Sequence, residues 1–180
     1  MLLLCCLLGS TAFASESLWR DTDPNSIASR GDRWVVPQQA RTVELDIAGL
    51  RELLQQAPME SQQPTRASSS VISLPMPDGQ FARFAVVESP VMEAGLALKF
   101  PQIRTFSGQG LDDATASLRL DVTPKGIHAQ VLSANGESYI DPYQSADEAH
   151  YVVYSRRGFG ESAKRYQCGT DGADPLVPVA

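Results

Sequence analysis

The chain has 180 residues, 43% of them hydrophobic, and a formal net charge of −6. That length predicts one domain, with or without a tail, and enough apolar side chains for a single core. Acidic and basic residues are interspersed with no basic run, which argues against a nucleic-acid partner, since phosphate recognition needs clustered Lys and Arg.

The first residues read as a secretory leader. Leu2, Leu3, Leu4, Leu7 and Leu8 form a short apolar run around Cys5 and Cys6, and Ala12-Phe13-Ala14 is a small-residue cleavage signal ending at Ala14. The run is far shorter than the roughly 20 residues a membrane-spanning helix requires. Neither Cys5 nor Cys6 follows the small residue that a lipoprotein signal carries, so no lipid anchor is expected. Residues 1–14 are therefore read as a signal peptide, and the mature chain as secreted or periplasmic. Cys168 is then the one remaining cysteine, so no internal disulfide is available and stability must come from packing.

Residues 15–40 are polar, with Asp23-Pro24-Asn25-Ser26 and two isolated indoles, Trp19 and Trp34, and read as an extended N-terminal arm. Arg41 to Leu45 alternates as a short strand. Asp46 then offers an N-cap, with Ile47, Leu50, Leu53 and Leu54 on one helical face, before Pro58 stops the helix. Residues 60–69, rich in Gln, Ser, Thr and Pro, form a loop.

From Val71 the apolar period changes to two. Val71 to Leu74 and Phe81 to Val87 flank Pro77-Asp78-Gly79-Gln80, a hairpin signal. Pro90 opens a short amphipathic segment in which Val91, Met92, Leu96 and Leu98 share a face. Ile103 to Phe106 is a strand, Gly108-Gln109-Gly110 a flexible turn, and Asp112-Asp113 caps one helical turn. Three further strands, Ala116 to Val122, Ile127 to Leu132 and Glu137 to Ile140, are separated by Thr123-Pro124-Lys125-Gly126 and by an Asn135-Gly136 turn. Tyr151 to Tyr154 is the last strand. Hairpins with two helical segments predict an α+β domain over residues 41–155: an antiparallel sheet with one or two amphipathic helices packed on one face. Residues 156–180, Gly-rich and polar and ending near Asp174-Pro175-Leu176-Val177-Pro178, read as a flexible linker toward a further domain.

Several short motifs follow one another in order along the chain. They begin with Leu53-Leu54-Gln55-Gln56-Ala57-Pro58, Ile72-Ser73-Leu74-Pro75 and Pro77-Asp78-Gly79. Phe84-Ala85-Val86-Val87-Glu88-Ser89-Pro90-Val91-Met92, the Phe100 to Gly108 run and Asp112-Asp113 follow. Arg119 to Pro124, Gly126-Ile127-His128-Ala129 and Tyr139-Ile140-Asp141-Pro142-Tyr143 complete the series. In this order they resemble the N-terminal propeptide region of secreted bacterial reprolysin-like zinc metallopeptidases, over roughly residues 34 to 155. The resemblance implies a non-catalytic propeptide that assists folding of a zinc metalloendopeptidase, inhibits it, or both. Its partner would be the cognate catalytic domain, with zinc held there and no cofactor in this chain. The alternative, from a different class, is a free-standing exported protein-binding module.

The catalytic motif of that family, H-E-x-x-H, is not in the chain: its two histidines, His128 and His150, stand too far apart. The segment is therefore not expected to be an enzyme. The sharpest candidate is Cys168, followed by Gly169. A thiolate is a strong zinc ligand at about 2.3 Å, and in the open position of a catalytic zinc it would displace the attacking water. Similarity to the Cys-Gly switches of other metallopeptidase propeptides points the same way. The competing reading pairs Cys168 with a cysteine of a following domain. Arg156, Arg157 and Arg165 lie in the predicted exposed tail, where processing proteases cut; the competing reading is solubilising charge. His128, on a predicted strand, lacks the converging ligands a metal needs and reads as a surface or half-buried histidine. Ser89 with His128 and Asp121 lacks the G-x-S-x-G elbow of a hydrolase.

Overall fold

A computed structural model describes residues 18–160; Ala14, Arg165 and Cys168 lie outside the described residues. Nine strands among the described residues form one antiparallel sheet. They are β1 (Trp19–Asp21), β2 (Arg41–Leu45), β3 (Val71–Pro75), β4 (Phe81–Glu88) and β5 (Arg104–Gly110). The sheet continues with β6 (Ser117–Thr123), β7 (Gly126–Ser133), β8 (Gly136–Pro142) and β9 (His150–Ser155). The strand order is β1-β2-β9-β8-β7-β6-β5-β4-β3. Strands β3 to β9 thus run as a simple meander, and β2 returns from the front of the chain to pair with β9, Arg41 opposite Val153 and Val43 opposite Tyr151.

The expectation of an α+β domain is overturned. The sheet curls into a nearly closed barrel, so the apolar side chains of one strand are covered by those of the strands facing it, and no helical layer is required. Alternation places Val43 and Leu45, Ile72 and Leu74, Phe84 and Val86, Leu118 and Leu120, and Tyr151 and Val153 in one core. Of the helices, only α1 (Ile47–Gln55) contributes large buried side chains, Leu50 and Leu54. Its expected N-cap is present, Asp46 accepting from the Gly49 amide at 3.0 Å. Arg51 of α1 donates to the Thr123 carbonyl at 3.1 Å, and Arg104 reaches the Leu54 carbonyl at 3.5 Å, so α1 lies across one end of the barrel. The second predicted helix forms as α2 (Ala94–Lys99) but buries none of its residues. Val91 and Leu98 are 76% and 84% exposed, so this segment packs on no face of the sheet.

Two other readings change. Gly108-Gln109-Gly110 is not a turn but the end of β5. A Cβ on Gly110 would stand 2.3 Å from the Asp113 carbonyl oxygen, and one on Gly108 would stand 3.0 Å from Leu118. The glycines allow close approach within the sheet, not a change of direction. At the front of the chain, Trp19 belongs to a strand, β1, paired with β2, whereas Trp34 lies in a loop on the outside of the barrel. At the back, Arg156–Phe159 forms a short helix, α3, with Phe159 against Tyr154 at 5.8 Å.

Among the described residues the two sheet edges, β1 and β3, share no ladder and are joined by side chains. The Trp19 indole N–H donates to the Ser73 carbonyl at 3.1 Å, and its ring meets Tyr151 edge-on at 5.9 Å. Arg41 of β2 adds bonds to the carbonyls of Met76 and Gln80, at 3.3 and 3.1 Å. Trp19→Phe, which keeps a ring but removes the donor, is expected to cost about 1–3 kcal/mol, read as a lower urea midpoint at unchanged m-value. A midpoint equal to wild type would show that the seam does not depend on this bond.

Candidate functional site

The end of the barrel opposite α1 is open. There the start of β2, the β3–β4 and β7–β8 turns, the β5–β6 connection and the end of β9 surround a cavity of about 770 Å³. That volume lies within the roughly 300–1,000 Å³ of ligand pockets, which are often found in barrel mouths. Its floor is apolar: Phe84 and Val131 are buried, and Met76, Phe81, Ala82 and Ala116 stand around them.

The rim is polar and mostly self-neutralised. Arg41 lies 5.0 Å over the Phe81 ring and grips Asp21 with two parallel bonds of 2.6 and 3.1 Å. The hydrogen bond from Arg41 holds the Asp21 carboxyl below its ordinary value. Arg156 pairs with Glu137 at 3.1 Å, and the Tyr139 hydroxyl donates to the same carboxylate at 2.7 Å. Those bonds, from Tyr139 first and then Arg156, lower the Glu137 pKa. Asp78 accepts from the Gln80 amide, and Asp113 from the amide and hydroxyl of Thr115. Arg157 is the exception. Among the described residues it is the one charged group on the rim with neither an ion pair nor a hydrogen bond. The mouth thus offers an apolar floor under one uncompensated guanidinium, an arrangement suited to holding an apolar group that carries a carboxylate.

A second polar cluster lies on the outer surface. His128 of β7 stands directly opposite Asp121 of β6, and its Nδ1 contacts Asp141 at 2.7 Å. The Tyr154 hydroxyl donates to the other oxygen of Asp141 at 2.7 Å. The Trp34 ring stacks on His128, centroids 6.3 Å apart and planes 4° from parallel, with the Lys125 ammonium 5.4 Å from the indole. The hydrogen bond to Asp141, helped by the charge of Asp121, raises the His128 pKa. Burial pushes Asp121 up, with the neighbouring Asp141 charge adding to it.

The sequence candidates separate between these places. Arg156 and Arg157 stand at the mouth, in α3. Ser89 is hydrogen-bonded to Glu60, and Ser107 donates to the same carboxylate, while His128 is engaged with Asp141, so Ser89, His128 and Asp121 make no triad. Asp112 pairs with Arg83 and Asp113 caps a turn. Among the described residues no group of three or more His, Cys, Asp or Glu side chains is placed to hold a metal ion, and no helix is long and apolar enough to cross a membrane. Comparison with known proteins gives no match to any family model, curated protein or solved structure.

A histidine whose folded pKa is raised contributes stability that is complete below its unfolded value, near 6.5, and is lost as the pH climbs through the raised folded value. The urea midpoint of the wild-type chain is therefore expected to fall from about pH 6 to pH 9, and that of His128→Gln to fall less. Parallel profiles for the two chains would remove His128 as the source of the dependence.

Proposed function

We propose that this barrel is the non-catalytic propeptide of an exported zinc metalloendopeptidase precursor, assisting folding of the catalytic domain, holding it inactive, or both. The observation that carries the reading is where the chain leaves the barrel. Strand β9 delivers it to the rim of the open mouth, where Arg156 and Arg157 line the cavity and the Gly158 carbonyl accepts from the Gln39 amide at 2.9 Å. A polypeptide continuing from Gly160 therefore starts beside the candidate binding surface, where a tethered partner docks at high effective concentration.

Many of the motif residues on which the resemblance rests lie in the strands of the meander. Glu88 of the Glu-Ser-Pro motif forms a two-bond ion pair with Arg104 of the Ile-Arg-Thr motif, at 3.0 and 2.5 Å. His128 of Gly-Ile-His-Ala meets Asp141 of Tyr-Ile-Asp-Pro-Tyr. Each contact ties one strand of the meander to its neighbour.

On this reading zinc belongs to the catalytic domain, and Cys168 is the residue of this chain offered to it. Processing falls at Arg156, Arg157 or Arg165. Cleavage at the first two requires α3 to open locally, because a protease needs extended backbone. The leader ending at Ala14 directs the precursor out of the cytoplasm, to a secreted or periplasmic location.

The reading frame that continues past Ala180 is expected to encode H-E-x-x-H; a stop codon in its place would overturn the precursor reading and favour a free-standing exported binding module. In the full precursor, Cys168→Ser is expected to give earlier peptidase activity than wild type, with His128→Ala unchanged. Equal activation rates for wild type and Cys168→Ser would remove the zinc-switch role while leaving the propeptide reading standing.

A further inference from the structure

Residues 28–34, on the way from β1 to β2, pass over the outside of the barrel and are held there by the β8–β9 connection and by β7. The Gln144 side chain donates to the Ala28 carbonyl at 2.7 Å and accepts from the Arg30 amide at 2.9 Å. The Ser145 amide donates to the Asp32 carbonyl at 2.9 Å. Gly31, at φ 111°, lies so close to this connection that an added Cβ would stand 2.5 Å from the Ser145 Oγ. Arg33 covers the Tyr143 ring at 4.2 Å, and Trp34 lies flat on His128.

Each end of this arm rests on a histidine–carboxylate pair, and the two pairs use both histidines of the chain. At the first end, buried Gln144 also donates to Asp147 at 3.3 Å, and Asp147 meets His150 Nδ1 at 2.7 Å. Across the strand register His150 faces Glu44. At the second end, His128 lies under Trp34, with Asp121 opposite it on β6 and Asp141 at its Nδ1.

The two ends are not equivalent. At the first, a neutral amide, Gln144, stands between Asp147 and the arm. At the second, the imidazole itself touches the arm through the Trp34 ring. An imidazolium is attracted to the face of an indole, and a neutral imidazole loses that attraction. The hydrogen bond to Asp141, with the charge of Asp121, favours the imidazolium. The Tyr154 hydroxyl, on the other Asp141 oxygen, is pushed up by burial and keeps its proton through the neutral range. Lys125, 5.4 Å from the indole, stays charged there too.

We propose that residues 28–34 are a pH-controlled strap, closed on the barrel wall while His128 is an imidazolium and lifting as that proton leaves. The closed strap holds the proton more tightly than the lifted one. Closure is therefore complete below the ordinary histidine value, about 6.5, and weakens as the pH rises through the raised value of the closed form. Lifting bares the Tyr143 ring and the row Asp121, His128 and Asp141. The device belongs to the barrel alone and does not require that a peptidase follow it.

Amide hydrogen exchange of the full chain tests it, each rate being corrected for the intrinsic effect of pH. The Arg30 and Ser145 amides bond between strap and barrel, whereas Val86, bonded to the Ser70 carbonyl at 2.9 Å, reports the barrel itself. Arg30 and Ser145 are expected to be less protected than Val86 throughout. They are also expected to lose about three- to tenfold in protection between about pH 6 and 9, the scale of one cation–π contact. His128→Gln is expected to flatten that loss and His150→Gln to preserve it. Trp34→Leu, which keeps His128 and Asp141, is expected to leave both amides weakly protected at either pH while Val86 stays protected. Arg30 and Ser145 as protected as Val86 would overturn the proposal, because the arm would then leave only when the barrel unfolds. A loss that persists in His128→Gln, or wild-type protection in Trp34→Leu, would overturn it as well.

Discussion

Everything in this barrel depends on how the edge of β1 meets the edge of β3. An open sheet of nine strands exposes two rows of unpaired amides and carbonyls, which invite other chains to add to it. Here the edges approach each other, and among the described residues no ladder joins β1 to β3. One indole N–H to the Ser73 carbonyl and one guanidinium to the carbonyls of Met76 and Gln80 span the gap. Trp19 is suited to the task because it presents a large apolar body to the core and one donor to the seam. Arg41 also suits, because its planar fork bonds two carbonyls and Asp21 at once.

Closing the sheet in this way divides the molecule into two unlike ends. At one, α1 fills the opening with Leu50 and Leu54, and Arg51 and Arg104 tie it to the surrounding strands. At the other, none of the described elements lies across the opening, and the described chain ends at its rim. The chemistry a partner could use is therefore concentrated at a single rim, where Arg157 is the group whose charge the barrel does not itself satisfy. The exposed β4–β5 connection, with Val91, Leu96, Leu98 and Phe100 facing outward, is a second apolar surface, at the α1 end; nothing in its surroundings indicates what would cover it.

Much of the sheet could be read from alternation and turn chemistry. The pairs Val71 to Leu74 with Phe81 to Val87, and Ile127 to Leu132 with Glu137 to Ile140, were legible because Pro77-Asp78-Gly79 and Asn135-Gly136 are strong local signals. Curvature was not legible, because the period of two says which residues share a face and nothing about whether that face bends onto itself. Hence one covered side was expected where a barrel exists. Glycine misled for a related reason: Gly108 and Gly110 sit where neighbouring atoms crowd, and sequence does not distinguish a glycine needed for contact from one needed for a turn. The candidate sites were legible only as single residues. Arg156 and Arg157 stood out by charge, but their neighbours at the mouth come from five stretches of chain. The engagement of His128 with Asp141 depends on strand register, which no local pattern specifies.

The return of β2 to pair with β9 bears on how the barrel forms. A chain synthesised from its N-terminus presents β1 and β2 first, yet their partner is the last strand to emerge. The meander from β3 to β9 can zip up hairpin by hairpin, each closing a short loop, while β1 and β2 wait with their edges unoccupied. Barrel closure is therefore a late, long-range step, in which Trp19 reaches Ser73 only after the rest of the sheet exists. Substitutions at the seam should accordingly accelerate opening more than they slow assembly of the meander. The strand that leads the chain out is the one that completes the fold.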